Sequence, residues 1–383
     1  MTRSDSTWKT RYVVLLCLAA VVGVAALDSL LFRTGLYENV LEPDSSTGLF
    51  ERILHNELAA QRRYGDRLVA TFGNSRFAWS PKVMDQRAGP HEFVFRNAGV
   101  AGSDARAWYF MIRDLDPTAR RYRALVFGVD DYEDEDRYFN PNDDIRALHY
   151  VIFRLRLADV LDFARSFDSP ELRLTALRGG LLKGLILQND VQAFLAAPRK
   201  RLDYVSLCNR DWSNWVYDYQ ETEHSMAGLK IDWNTLQVTF PPGVNEDQMA
   251  TTKAFLAHAA EPQIGRIAAF NRKWYGRILD HYRGSPTKIV FLRLARGPIP
   301  RPDNLTHKLS ASIREFASRP NVILLDQHAF ESLEHPELYR DGMHLNREGI
   351  RRFTYMLEDT VTKTLDPAWP GGSPLPDAGG GSH

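Results

Sequence analysis

Leu68-Val-Ala-Thr-Phe-Gly-Asn-Ser-Arg-Phe-Ala-Trp79 breaks an apolar run abruptly at Gly73-Asn74-Ser75-Arg76. Residues 68–72 have the length and composition of a strand, and Gly-Asn is turn chemistry. A strand with no polar alternation is one buried on both faces, as in a parallel sheet. A helix-like pattern resumes after Arg76. The stretch therefore sets a small hydroxyl, Ser75, at the sharp exit of a buried strand. Two readings stand open at this point: an ordinary turn, or a nucleophile.

Four further segments of the same kind extend the pattern. Phe93-Val94-Phe95 ends at Asn97-Ala98-Gly99-Val100-Ala101-Gly102, and Ser103 is suited to cap a helix running from Asp104 to about Leu115. Residues 124–127 end at Gly128-Val129-Asp130-Asp131, and residues 288–294 and 321–325 supply the fourth and fifth strands. Helical stripes occupy residues 49–64 and about 347–364. Apolar strands alternating with amphipathic helices predict an α/β fold: a three-layer sandwich around a mainly parallel five-stranded sheet. In such folds sites gather at the carboxyl ends of strands.

Residues 132–286 are too long for a simple crossover and read as a large helical insertion, a cap or lid. Ile145, Leu148, Val151, Ile152, Leu155 and Leu161 form one helical stripe. Trp212, Trp215, Tyr217, Tyr219 and Trp233 follow, and a helical pattern returns from about Asn245 to Tyr282 with a break at Pro262. The aromatic cluster has two readings, a glycan groove or the insertion's own core.

At the N-terminus, Arg3, Lys9 and Arg11 precede an apolar run from Tyr12 to Leu27, with Asp28 near its far end. About 20 such residues cross a bilayer, and the basic flank favours a cytoplasmic N-terminus. The run reads as an uncleaved single-pass anchor, although Val24-Ala25-Ala26 also resembles a signal-peptidase site. The expected division is 1–35 cytoplasmic tip and anchor, 36–131 first part of the sheet domain, 132–286 insertion, 287–366 second part, and 367–383 a Pro/Gly/Ser-rich disordered tail. Lys+Arg and Asp+Glu both number 48, for a formal net charge of +0. That balance argues against a nucleic-acid partner. The two cysteines, Cys17 and Cys208, are badly placed to pair, so the fold rests on a core.

Near the end stands Asp341-Gly342-Met343-His344. A serine needs a base to become nucleophilic, and a carboxylate can orient that base. Taken in order, Gly73-Asn74-Ser75, Asn97–Gly102, Gly128–Asp131 and Asp341–His344 resemble the SGNH/GDSL hydrolase superfamily, especially its membrane-anchored polysaccharide O-acyltransferase-like branch. The resemblance covers roughly residues 68–131 and 288–364, and implies an SGNH-like, flavodoxin-like fold. It makes Ser75 the nucleophile, His344 the base and Asp341 its partner, with the N–H groups of Ser75 and Gly102 as oxyanion hole. Asn74, Arg76, Asn97 and Asp130 would be supporting residues.

The chain departs from the family twice. Asn74 replaces an Asp, and Asp130 replaces the Asn that donates the third oxyanion hydrogen bond. An ionised carboxylate cannot donate one, so Asp130 must be protonated, turned away, or engaged with a group such as Arg76. No cofactor is implied. His328, His335 and His344 lack a zinc-site spacing, the acidic run 130–136 lacks the EF-hand ligand order, and no metal is expected. The expected function is exported serine acyl transfer, of acetyl above all, on a cell-envelope or secreted polysaccharide. A membrane-bound acyl-donor protein would be the partner, and the catalytic domain would lie outside the cytoplasm. An esterase or deacetylase, or an inactive glycan-binding or assembly protein of the same fold, are the alternatives.

Overall fold

In a computed structural model the structure describes residues 4–87, 92–132, 141–210, 224–257, 266–300, 302 and 311–369. The chain forms two compact units, one of residues 1–52 with 142–212, the other of 53–141 with 213–383. The described part of the stretch 132–286 is thus shared between them, residues 142–210 falling with the N-terminal segment and residues 132, 141, 224–257 and 266–286 with the sheet.

The second unit is α/β. Its strands are β1 (Leu68–Phe72), β2 (Val94–Asn97), β3 (Ala124–Val129), β6 (Lys288–Arg293) and β7 (Val322–Leu324), with a separate hairpin of β4 (Lys230–Asp232) and β5 (Gln237–Thr239). The five strands lie in the order β2-β1-β3-β6-β7, every pairing parallel. Every residue of β1 and β3 is buried, as the unbroken apolar runs predict. Alternation along the strands sends their side chains to opposite faces. Val69, Val126 and Val290 join a cluster with Phe353, Leu357 and Val361 of the helix Arg347–Leu365. Phe127 and Phe291 instead meet Trp108 and Tyr275, from the helices Ala105–Leu115 and Arg266–His281, with ring centroids 5.2–5.9 Å apart. Helices therefore cover both faces.

Three local expectations are corrected. After Arg76 there is no immediate helix. Phe77, Ala78 and Trp79 are core residues of an irregular segment, and helix begins only at Pro81, where Ser80 caps Val83 and proline supplies a preset first turn. Asp104, not Ser103, caps the helix Ala105–Leu115, accepting from the Ala107 N–H at 3.0 Å. Ser103 is occupied otherwise: its hydroxyl donates to the Val100 carbonyl and accepts from the Trp108 indole. The stripe from Ile145 to Leu161 is two pieces, Pro141–Ile152 and a short helix Val160–Ala164.

The first unit is helical. Its N-terminal helix, Ser4–Arg33, contains in residues 11–33 a stretch long and apolar enough to cross a membrane, with 6% of its most apolar window buried. Its length and composition suit a single membrane span or a signal sequence. Its distal end enters the unit's own core. Phe32 packs with Tyr37, Leu41, Phe153 and Leu187, and the buried Glu51 carboxylate pairs with Arg154 at 2.7 Å.

Candidate active site

In the strand order, β1 has β2 on one side and β3 on the other. A crevice forms outside the carboxyl ends of strands where successive connections diverge in this way. Ser75 stands half-buried at that point, three residues beyond β1. Asn74 shapes the turn. Its side-chain oxygen accepts from the Arg76 N–H at 3.0 Å and its carbonyl from the Phe77 N–H at 3.0 Å.

His344 reaches the same place from the other end of the sequence. Tyr339 and Leu345 form an antiparallel bridge, and the Arg340 N–H donates to the His344 carbonyl at 3.0 Å, closing a tight loop. Within it the N–H groups of Met343 and His344 each donate to Asp341 Oδ1 at 2.8 Å. Asn346 anchors the loop's exit by capping the following helix through Gly349 and donating to the Glu337 carbonyl at 2.7 Å.

The structure thereby brings the three residues into one chain. The Ser75 hydroxyl lies 2.9 Å from His344 Nε2, and His344 Nδ1 lies 2.9 and 3.1 Å from the Asp341 oxygens. The His344 and Asp341 side chains are 16% and 14% exposed, sheltered but within reach of a ligand. Burial pushes the Asp341 carboxyl upward, but hydrogen bonds from the His344 ring and from the two loop N–H groups outweigh it and hold the group below its ordinary range. An ionised Asp341 holds the proton on Nδ1, which leaves the Nε2 lone pair facing the serine.

Gly102 is the third residue of a turn closed by the Ser103 N–H on the Val100 carbonyl at 2.9 Å, with φ +68°, a left-handed conformation glycine takes without strain. Among the described residues, no protein acceptor meets the backbone N–H of Ser75 or of Gly102. The adjoining loop is stitched to the exit of β1. Val100 donates to the Gly73 carbonyl at 3.2 Å, and a Cβ at Gly99 would lie 2.7 Å from that same oxygen, so no side chain fits there. Asn97 pins this loop by accepting from the Gly99 N–H at 2.9 Å.

Arg76 and Asp130 are paired. One guanidinium nitrogen meets Asp130 Oδ1, and the other donates to the carbonyls of Ala295 at 2.8 Å and Arg296 at 3.0 Å. Burial pulls Arg76 down to about 10, so it remains a cation at neutral pH. It ties together the segments leaving β1, β3 and β6.

A pocket of 210 Å³ opens beside Asn74, walled by Asp104, Trp108, Asp130, Phe270, Asn271 and Tyr275 among others. Apart from Asp130 and Asn74, these residues were not legible as site residues. Trp108, Phe270 and Tyr275 lie on amphipathic helices whose apolar stripes read as core. The aromatic residues Trp212, Trp215, Tyr217 and Tyr219 lie outside the described residues, as do residues 133–136 of the acidic run, Pro262 and most of the 367–383 tail. No protein-family model and no curated protein matches the chain.

Proposed function

We propose that this chain is a membrane-tethered serine acyl-transfer enzyme of the SGNH/GDSL type, acting on ester-linked acyl groups of an extracytoplasmic polysaccharide. The single observation that carries the reading is the Ser75–His344–Asp341 hydrogen-bonded chain at the carboxyl end of a parallel sheet. Ser75 Oγ attacks the acyl carbon as its proton passes to His344 Nε2. The oxyanion meets the unengaged N–H groups of Ser75 and Gly102. The ester C–O bond breaks, and the leaving alkoxide takes the proton from Nε2. In the second half, an acceptor hydroxyl gives its proton to Nε2 and bonds to the acyl carbon. The serine ester breaks and Ser75 recovers the proton.

Asp130 stands where the family has a donating Asn. Its pairing with Arg76 offsets the negative charge that would oppose the oxyanion, so this reading assigns the oxyanion two backbone donors without the third that the family's Asn side chain adds. Each such donor is worth about 2.7–4 kcal/mol, and a slower enzyme than three-donor relatives is the expected result. The pocket beside Asn74, with aromatic walls and hydrogen-bonding side chains, is of the kind that holds a sugar acceptor.

The test is direct. The full chain in detergent should be labelled by a fluorophosphonate and should hydrolyse nitrophenyl acetate. Ser75→Ala should lose labelling and reduce hydrolysis by at least about 10³-fold. A folded wild-type protein that shows neither would instead favour a binding or assembly role. Acetyl transfer to an added oligosaccharide in preference to water separates a transferase from an esterase.

A further inference from the structure

The distal end of the N-terminal helix is bound to the turn joining the helices Pro170–Leu181 and Gly184–Ala196. Asp28, 7% exposed, accepts from the N–H groups of Lys183 at 3.1 Å and Gly184 at 2.7 Å. Arg33 donates to the carbonyls of Gly180 at 2.6 Å and Leu181 at 3.2 Å. Residues 180–184 therefore lie alongside the helix's last two turns.

This fixes their depth if the helix is a membrane span, the reading on which the inference rests. Residues 11–33 at ~1.5 Å each reach about 34 Å, slightly more than a hydrocarbon core of about 30 Å. With Arg11 and Arg33 at the two interfaces, Asp28 sits about 7 Å inside Arg33, roughly 5 Å below the hydrocarbon edge. The 180–184 turn shares that level. Leucines crowd the surface around it: Leu181 and Leu185 are 60% and 48% exposed. Leu157 and Leu161 are also exposed, on the segment whose Val160 packs where a Gly180 Cβ would be. Water-exposed leucines at this level would be costly, whereas in lipid they are favoured.

The helix Gly184–Ala196 leads away from that level. Asp190 accepts from the Tyr37 hydroxyl at 2.7 Å and the Glu42 N–H at 3.0 Å, both beyond the span. Phe194 packs on Tyr37. Leu195, 70% exposed, thus belongs to water on the same argument.

We infer that Leu157, Leu161, Leu181 and Leu185 form a second membrane contact, dipping into the leaflet from which the N-terminal helix emerges. The unit is then seated on the bilayer by a span and an apolar foot together.

Depth-dependent quenching tests this. The full chain carrying Cys17→Ser and Cys208→Ser is reconstituted into phosphatidylethanolamine/phosphatidylglycerol vesicles. A single bimane-labelled cysteine replaces Val22, Leu185 or Leu195. A lipid with a nitroxide near its headgroup should quench the Leu185→Cys probe several-fold more than the Leu195→Cys probe, and iodide in the water should do the reverse. A Val22→Cys probe shielded from iodide and quenched by a lipid whose nitroxide sits deep in the acyl chain, with Leu185→Cys behaving like Leu195→Cys, keeps the span but overturns the foot. A Val22→Cys probe open to iodide removes the span, and the foot with it. Leu185→Cys shielded from both quenchers means that protein, such as a second copy, covers the leucines, and also overturns the inference.

Discussion

Two sheltered carboxylates, one in each unit, are driven in opposite directions. Asp341, in the sheet unit, sits below its ordinary range because three donors converge on it, two of them backbone N–H groups of its own loop. Glu51, in the helical unit, is pushed up to about 7. Burial dominates there, the Arg154 side chain only partly offsets it, and neighbouring Glu38 raises it further. Burial alone therefore does not say what a carboxylate is for. Several converging donors, two of them fixed in the backbone, preserve a charge for use, whereas one guanidinium shared with a second carboxylate leaves the charge costly to hold. The sheet unit gathers polar groups around an open edge. The helical unit uses its own to close the fold around the end of an apolar helix.

The sharpest way to break this contrast is Asp341→Asn. It should lower ester hydrolysis by about 10²–10⁴-fold while the protein stays folded, because the imidazole loses the partner that sets its tautomer. A loss below threefold would mean that Asp341 is only a loop brace. Next is Asp28→Ala, which strands the N–H groups of Lys183 and Gly184. Each buried orphan costs about 1–3 kcal/mol, so amide exchange across residues 181–187 should accelerate greatly, with fluorophosphonate labelling at Ser75 unchanged. Unaltered exchange would show that the cap contributes nothing.

The smallest effect is the pH response of the helical unit. A Glu51 carboxyl that titrates near 4.5 unfolded and about 7 folded keeps its proton longer in the native state. Between those values the folded form binds more protons, so stability falls as pH rises through the window, by roughly 3 kcal/mol in total. Glu51→Gln should flatten that slope in thermal melts taken from pH 5 to 8. The Asp341 contribution has the opposite sign. It is present at neutral pH and lost only as pH falls below the usual carboxylate range.

The strands were legible because each is a short apolar run closed by glycine or a polar turn, Ser75 because it sits just past such an end, and Asp341 and His344 because their spacing suits a base and its orienting carboxylate. What stayed hidden depends on contacts distant in sequence. Arg76 looks like a surface residue after a turn, yet its partners are 54 and about 220 residues away. Ser103 and Asp104 are equally good caps by type, and the Trp108 indole decides between them by engaging Ser103. Asp28 reads as a polar flank to an apolar helix, and nothing local reveals that it caps a helix 155 residues later. The pocket walls could not be told from core, since an aromatic stripe on a helix serves either.

The Arg76 strap also has a mechanical side. One guanidinium fastens the outgoing ends of three neighbouring strands, so Ser75 cannot shift far without straining the sheet edge itself. On the proposed function, heat-driven loss of ester hydrolysis should then coincide with cooperative melting of that unit, with no softened, inactive native form in between.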